Sequence, residues 1–116
     1  MRAMILSSLS LNILVLVPVC LSIAFKADWA LAAYGPATPA RGILLSIYVA
    51  ILVCSAALLA KPTAAMVAAL LLVQVVYKLT TPFTVGTINN PVVISNLAIA
   101  AFHSLTLWTI WKGTTP

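Results

Sequence analysis

Four apolar stretches, each about as long as a lipid bilayer is thick, decide what this chain can become. They run roughly from Met4 to Phe25, from Pro39 to Ala60, from Thr63 to Leu79 and from Pro91 to Trp111. A helix that crosses the hydrocarbon core needs about 20 residues, with a range of about 17 to 25. Inside lipid no water is present to satisfy backbone N–H and C=O groups, so each stretch must close its hydrogen bonds internally, as a helix. The expected fold is therefore all-α: an integral membrane four-helix bundle in one domain. The third stretch is the shortest, and its alternative is a re-entrant segment in a three-span protein.

Composition supports the same reading. Of 116 residues, 64% are hydrophobic and 6% charged, against about 25% charged in an ordinary soluble domain. A soluble fold of this size leaves too much surface exposed to hide so many apolar side chains. The net charge of +5 does not point to nucleic acid. The Lys and Arg residues stand singly near segment ends, where topology and lipid headgroups call for them.

Local chemistry marks the boundaries. Thr38-Pro39 and Asn90-Pro91 each pair an N-cap residue with proline at the first helical position, where its missing N–H costs nothing. Lys61-Pro62-Thr63 is a very short connection and predicts an antiparallel hairpin. Pro18 lies inside the first span and is expected to kink it. That span is expected to stay uncleaved, because its apolar run exceeds the roughly 7–15 residues of a signal peptide. Between the first two spans, residues 28–34 predict a short interfacial helix capped by Asp28 and ended by Gly35. Trp29, Tyr34, Trp108 and Trp111 suit the membrane interface. With the N-terminus inside, one side holds Arg2, Lys61 and Lys112, and the other holds Lys26, Arg41, Lys78 and Asp28. The slight bias predicts an inner-membrane protein with both termini cytoplasmic.

Gly42, Ser46, Ala50 and Cys54 place a small residue at every fourth position of the second span. Such a stripe lets helices approach closely. It predicts close packing against the third span near their short turn, with a homodimer as the alternative. Cys20 and Cys54 should differ in depth by roughly 12 Å at about 1.5 Å per residue, too far for a disulfide, so both are expected to be free thiols.

The polar residues are fewer and more telling. Gln74, Tyr77 and Lys78 share one face of the third span by their i, i+3, i+4 spacing. Asn96 and His103 share a face of the last. Arg41 and Tyr48 lie seven apart on the second. If the spans alternate in direction, all but His103 fall in the half of the bilayer opposite the termini, with His103 near the midplane. The other half is expected to be an apolar plug built of small residues. These seven form the candidate set, either a ligand site or interhelical glue. Intramembrane ionisable groups suggest function. Arg41 is also oddly placed, because the first turn of a helix favours negative charge, and Asp28 is the acid that the loop could bring to it.

Several chemistries are excluded. There is no glutamate, so proton-coupled export of the small-multidrug-transporter kind is not supported. Paired carboxylates for hydrolysis are absent. One histidine and two distant cysteines cannot build a zinc site, and no acid or nucleophile elbow accompanies a Ser-His pair. Neither a catalytic set nor a metal is expected. The stretch LAIAAFHSLTLWTIW, residues 97–111, resembles the histidine-and-tryptophan end of an antenna polypeptide, but Ile99 stands where that pattern has alanine. That resemblance implies a pigment or haem on His103; without it no cofactor is expected. The pattern of four short helices also resembles small bacterial inner-membrane proteins, DoxX-like ones among them, in architecture and not in any motif. The expected role is a non-catalytic accessory or assembly subunit of a larger membrane complex. Its partners would be the lipid bilayer and other membrane subunits or further copies of itself, with no nucleic acid. The alternative is a protein that binds or transports a quinone, a lipid headgroup or a solute.

Overall fold

A computed structural model describes residues 2–114. It is all-helical, with 87% helix and, among the described residues, no strands. The helices are α1 (Arg2–Ala24), α2 (Asp28–Tyr34), α3 (Pro39–Ala60), α4 (Ala64–Val85) and α5 (Pro91–Thr114). Four of them, α1, α3, α4 and α5, are long and apolar enough to cross a membrane, which is compatible with a multi-pass membrane protein. The chain divides into two compact units. One comprises residues 9–60; the other joins α4 and α5 to the first turns of α1, through Ser8.

In the unit of residues 9–60, α1 continues as helix through Pro18. It then ends in a Schellman turn. The Ala27 N–H donates to the Ser22 carbonyl at 2.9 Å and the Lys26 N–H to the Ile23 carbonyl at 3.2 Å. Such a turn needs a left-handed residue, usually glycine. Here Lys26 fills the position at φ 57°. Helix α2 follows. Asp28 does not cap it, contrary to expectation: Ala27 holds the N-cap position and makes no side-chain cap bond. Asp28 occupies the first turn instead, where a negative charge complements the helix dipole. Gly35 ends α2, with its N–H on the Leu31 carbonyl. Thr38 caps α3 as its sequence predicts, accepting the Arg41 N–H at 3.3 Å. The apolar core draws on Leu16, Cys20 and Ile23 of α1, Ala30 of α2, and Tyr48, Ile51 and Leu58 of α3. Cys20 and Cys54 are free.

The second unit is built on the α4–α5 hairpin, whose two helices pack along one another. Here α4 corrects the expected end of the third span. It does not stop at Leu79 but runs on through Pro82 to Val85. The reason is local. Proline has no N–H, so Pro82 leaves the carbonyl of Lys78 without its helical donor. The Thr81 hydroxyl supplies one at 2.7 Å, a substitution that lets membrane helices tolerate proline. Gly86 ends α4 in the left-handed region at φ 88°, ψ 5°. Asn90 caps α5 as expected, accepting the Val92 N–H at 2.9 Å. Buried residues form one stripe on α4 (Val67, Leu71, Gln74, Val75, Lys78) and one on α5 (Val93, Asn96, Ile99, Ala100, His103, Thr106).

The expected apolar plug near the termini is also corrected. In the hairpin unit Ser8 and Thr106, both fully buried, share a hydrogen bond of 2.6 Å. In the unit of residues 9–60 the Asn12 amide donates to the Ser55 hydroxyl at 3.1 Å. These side chains are small enough to sit inside a close helix contact. They gain from bonding across it because lipid offers them no other partner.

Candidate functional site

Each of the seven candidate residues belongs to one of the two units. In the unit of residues 9–60, Arg41 and Tyr48 both turn inward, as their spacing predicts. The partners of Arg41 are not acidic. Its Nη1 donates to the Gly35 carbonyl at 2.8 Å and its Nη2 to the Ile23 carbonyl at 3.3 Å. Gly35 follows the last residue of α2, and Ile23 lies in the last turn of α1. Both carbonyls sit at the negative ends of helices, where several C=O groups lack an intrahelical donor. Arg41 stands at the positive end of its own helix and is held there by the negative ends of two others. Asp28 plays no part in those bonds. Tyr48 packs its ring edge-on to Tyr34, with centroids 5.9 Å apart.

The hairpin unit holds the rest. Counting at about 1.5 Å per residue from the α4–α5 connection, Lys78 lies about 10 Å and Asn96 about 8 Å along their helices. On the same count Gln74 lies about 16 Å and His103 about 18 Å. All four are on the buried stripes of two antiparallel neighbours. By this count Lys78 lies about level with Asn96, and Gln74 with His103, an outer and an inner rung. Tyr77 is only partly buried, and its ring centroid lies 5.4 Å from the Lys78 ammonium.

Within the inner rung the two side chains differ in how well their polar atoms are satisfied. His103, 0% exposed, has Nδ1 at 3.1 Å from the Ser8 hydroxyl. Ser8 in turn meets Thr106, whose hydroxyl also reaches the Met4 carbonyl at 3.4 Å. That chain ties α5 to the start of α1. A ring so enclosed leaves no open side from which a macrocycle could reach its other nitrogen. Gln74 is different. Its amide nitrogen makes one long bond to the Leu70 carbonyl, 3.4 Å. Its Oε1 is fully buried with no hydrogen-bond partner. One turn away, Lys78 is 5% exposed, and no acid lies in any of the four spans. Buried amide oxygens normally find a donor, and buried cations normally find a counter-charge. An acceptor lacking a donor therefore lies beside a donor lacking an acid.

Sequence reasoning singled out Gln74 and Lys78 by type and spacing but could not tell that Gln74 would be left short. It passed over Ser55 and Thr106 as partners, because small hydroxyls are common in lipid-facing helices too.

The predicted stripe of small residues is placed differently from expectation. Gly42, Ser46, Ala50 and Cys54 are all exposed. The inward face of α3 carries Arg41, Tyr48, Ile51, Ser55 and Leu58 instead. The polar side chains turn inward because lipid offers them no hydrogen-bond partner. Among the described residues no group of His, Cys, Asp and Glu could hold a metal.

Compared with known protein families, curated proteins and solved structures, the chain matches none.

Proposed function

We propose that this chain is a multi-pass inner-membrane protein that binds a small ligand at the Gln74–Lys78 rungs of the α4–α5 hairpin. The carrying observation is the buried Gln74 oxygen with no donor. A ligand that fits must donate to Gln74 Oε1 and accept from the Lys78 ammonium. A phenolic hydroxyl on a lipid-soluble ring does both, whereas a carbonyl only accepts, which makes a quinol headgroup the best fit, ahead of a lipid headgroup or a solute. No catalytic step is assigned. The exposed cations Arg2, Lys61 and Lys112 favour both termini in the cytoplasm.

Gln74→Leu separates a site from structural glue. If Gln74 serves a ligand, the leucine variant relieves an unsatisfied buried oxygen. It should then raise the stability of the ligand-free protein by about 1 kcal/mol while weakening binding of a short-chain ubiquinol analogue at least about tenfold. Analogue binding is read by tryptophan quenching in detergent. Lower stability in this variant, or unchanged analogue binding in Gln74→Leu and Lys78→Met, would sink the proposal.

A second reading rests on the exposed face of α3. Gly42, Ser46, Ala50 and Cys54 offer close approach to a helix of another membrane protein or another copy, which supports an accessory or assembly subunit. Mild-detergent purification tests it. A partner or dimer that co-purifies with the wild type and is lost from Ala50→Leu supports this reading; a monomer in both counts against it.

A further inference from the structure

The unit of residues 9–60 holds a second polar feature, independent of the ligand proposed for the hairpin. A cleft of about 210 Å³ opens where the end of α1 meets the start of α3, lined by Ile23, Lys26, Thr38, Arg41 and Leu45 among others. Two cations border it and no acid does. Lys26 is exposed, so its ammonium is free to reach a ligand, while Arg41 is 6% exposed. Two guanidinium nitrogens of Arg41 each give one hydrogen to a carbonyl. A guanidinium has five donors, so others remain. The start of α3 itself offers little, since Pro39 has no N–H and the Arg41 N–H is already taken by Thr38. The charge of the cleft comes from the two side chains.

Lys26 itself adds to the case. A left-handed residue other than glycine is strained, yet this chain ends α1 with lysine at φ 57°. Glycine would close the same turn without that strain. The ammonium at the mouth of the cleft is what lysine adds.

We infer that this cleft binds a phosphate ester between Lys26 and Arg41. The apolar walls, Ile23 and Leu45, continue from the charged mouth down two helices long and apolar enough to span a membrane. A charged end above an apolar wall is the shape of an anionic phospholipid. A soluble phosphate ester shares the headgroup chemistry alone.

Lys26→Gly tests the inference without confusing loss of binding with loss of fold. The variant should be more stable than wild type, yet bind less. Wild type and variant are placed in nanodiscs of mixed phosphatidylcholine and phosphatidylglycerol, and the lipid retained after detergent extraction is measured by mass spectrometry. The wild type should retain phosphatidylglycerol preferentially, and Lys26→Gly should lower that preference about fivefold, as one surface cation is worth about 1 kcal/mol against an anionic lipid. Leu45→Trp, which narrows the cleft and leaves the charges, should lower it as well. Competition by millimolar glycerol 3-phosphate assigns the site to soluble esters; absence of competition assigns it to lipid. Equal retention of both lipids by the wild type, or a preference unchanged in both variants, overturns the inference.

Discussion

Gly35 holds backbone angles, φ 89° and ψ −178°, that are open essentially to glycine alone. Its carbonyl, turned by those angles, receives Arg41 at 2.8 Å. A Cβ added there would meet nothing within 4 Å, so Gly35→Ala tests the backbone and not the packing. It should lower stability by about 1–3 kcal/mol, read by denaturant titration in micelles followed by circular dichroism. Gly42→Ala is the matched control. Its Cβ also meets open space, and its φ is negative helix backbone, so alanine should be neutral or stabilising by up to about 1 kcal/mol. An equal loss in both variants would refute the account. The anomaly of Arg41 was legible in the sequence, since a cation at the positive end of a helix asks for an explanation. Its answer was not, because carbonyl partners depend on the path of the chain and carry no residue signature. The one acid nearby, Asp28, was the wrong guess for that reason.

At the level of helices, the caps were the most legible features. Thr38-Pro39 and Asn90-Pro91 start α3 and α5 where local chemistry says they should. The end of α4 was misread because Thr-Thr-Pro signals a break in water, where a freed carbonyl turns to solvent. In an apolar setting the same threonine keeps the helix going by bonding the carbonyl that the proline strands. This makes a sharp double-mutant prediction. Thr81→Val should cost about 1 kcal/mol in the natural background, because the Lys78 carbonyl then has no donor. In a Pro82→Ala background the restored N–H takes over that carbonyl, and Thr81→Val should become nearly neutral. The coupling energy from the four unfolding free energies measures the relation. A coupling near zero would mean that the Thr81 hydroxyl does not stand in for the missing N–H. The inward faces of α4 and α5 were legible too, since spacing placed Gln74 with Lys78 and Asn96 with His103. What spacing could not give was the state of each atom, such as the bond of His103 to Ser8 or the bare oxygen of Gln74.

For the whole molecule, the number of spans and the sites of charge together make an orientation testable. By sequence alone the two sides differ little, because Arg41 and Lys78 count against Arg2, Lys61 and Lys112. Burial changes that balance. Arg41 is held by backbone carbonyls and Lys78 lies within α4. Both are buried, so neither stands in a flanking loop where the positive-inside rule counts charge. All four of Arg2, Lys26, Lys61 and Lys112 are exposed, and the proposed topology sets the first, third and fourth on one side against Lys26 on the other. On the proposed topology of four crossings both termini share one side, and this charge asymmetry predicts that side to be the cytoplasm. Fluorescent protein fused after the chain should fluoresce, while alkaline phosphatase fused there should stay inactive. Inserted after Ala37, in the α2–α3 connection, phosphatase should be active. Neutralising Arg2, Lys61 and Lys112 together leaves only Lys26 and so reverses the asymmetry, and the phosphatase fused after the chain should then gain activity as molecules insert the other way. Neutralising Arg41 and Lys78 should leave the reporters unchanged, since buried cations do not count in the bias. Reporter activity that follows Arg41 and Lys78 instead of the three exposed cations would show that the orientation is set by total charge and not by exposed charge.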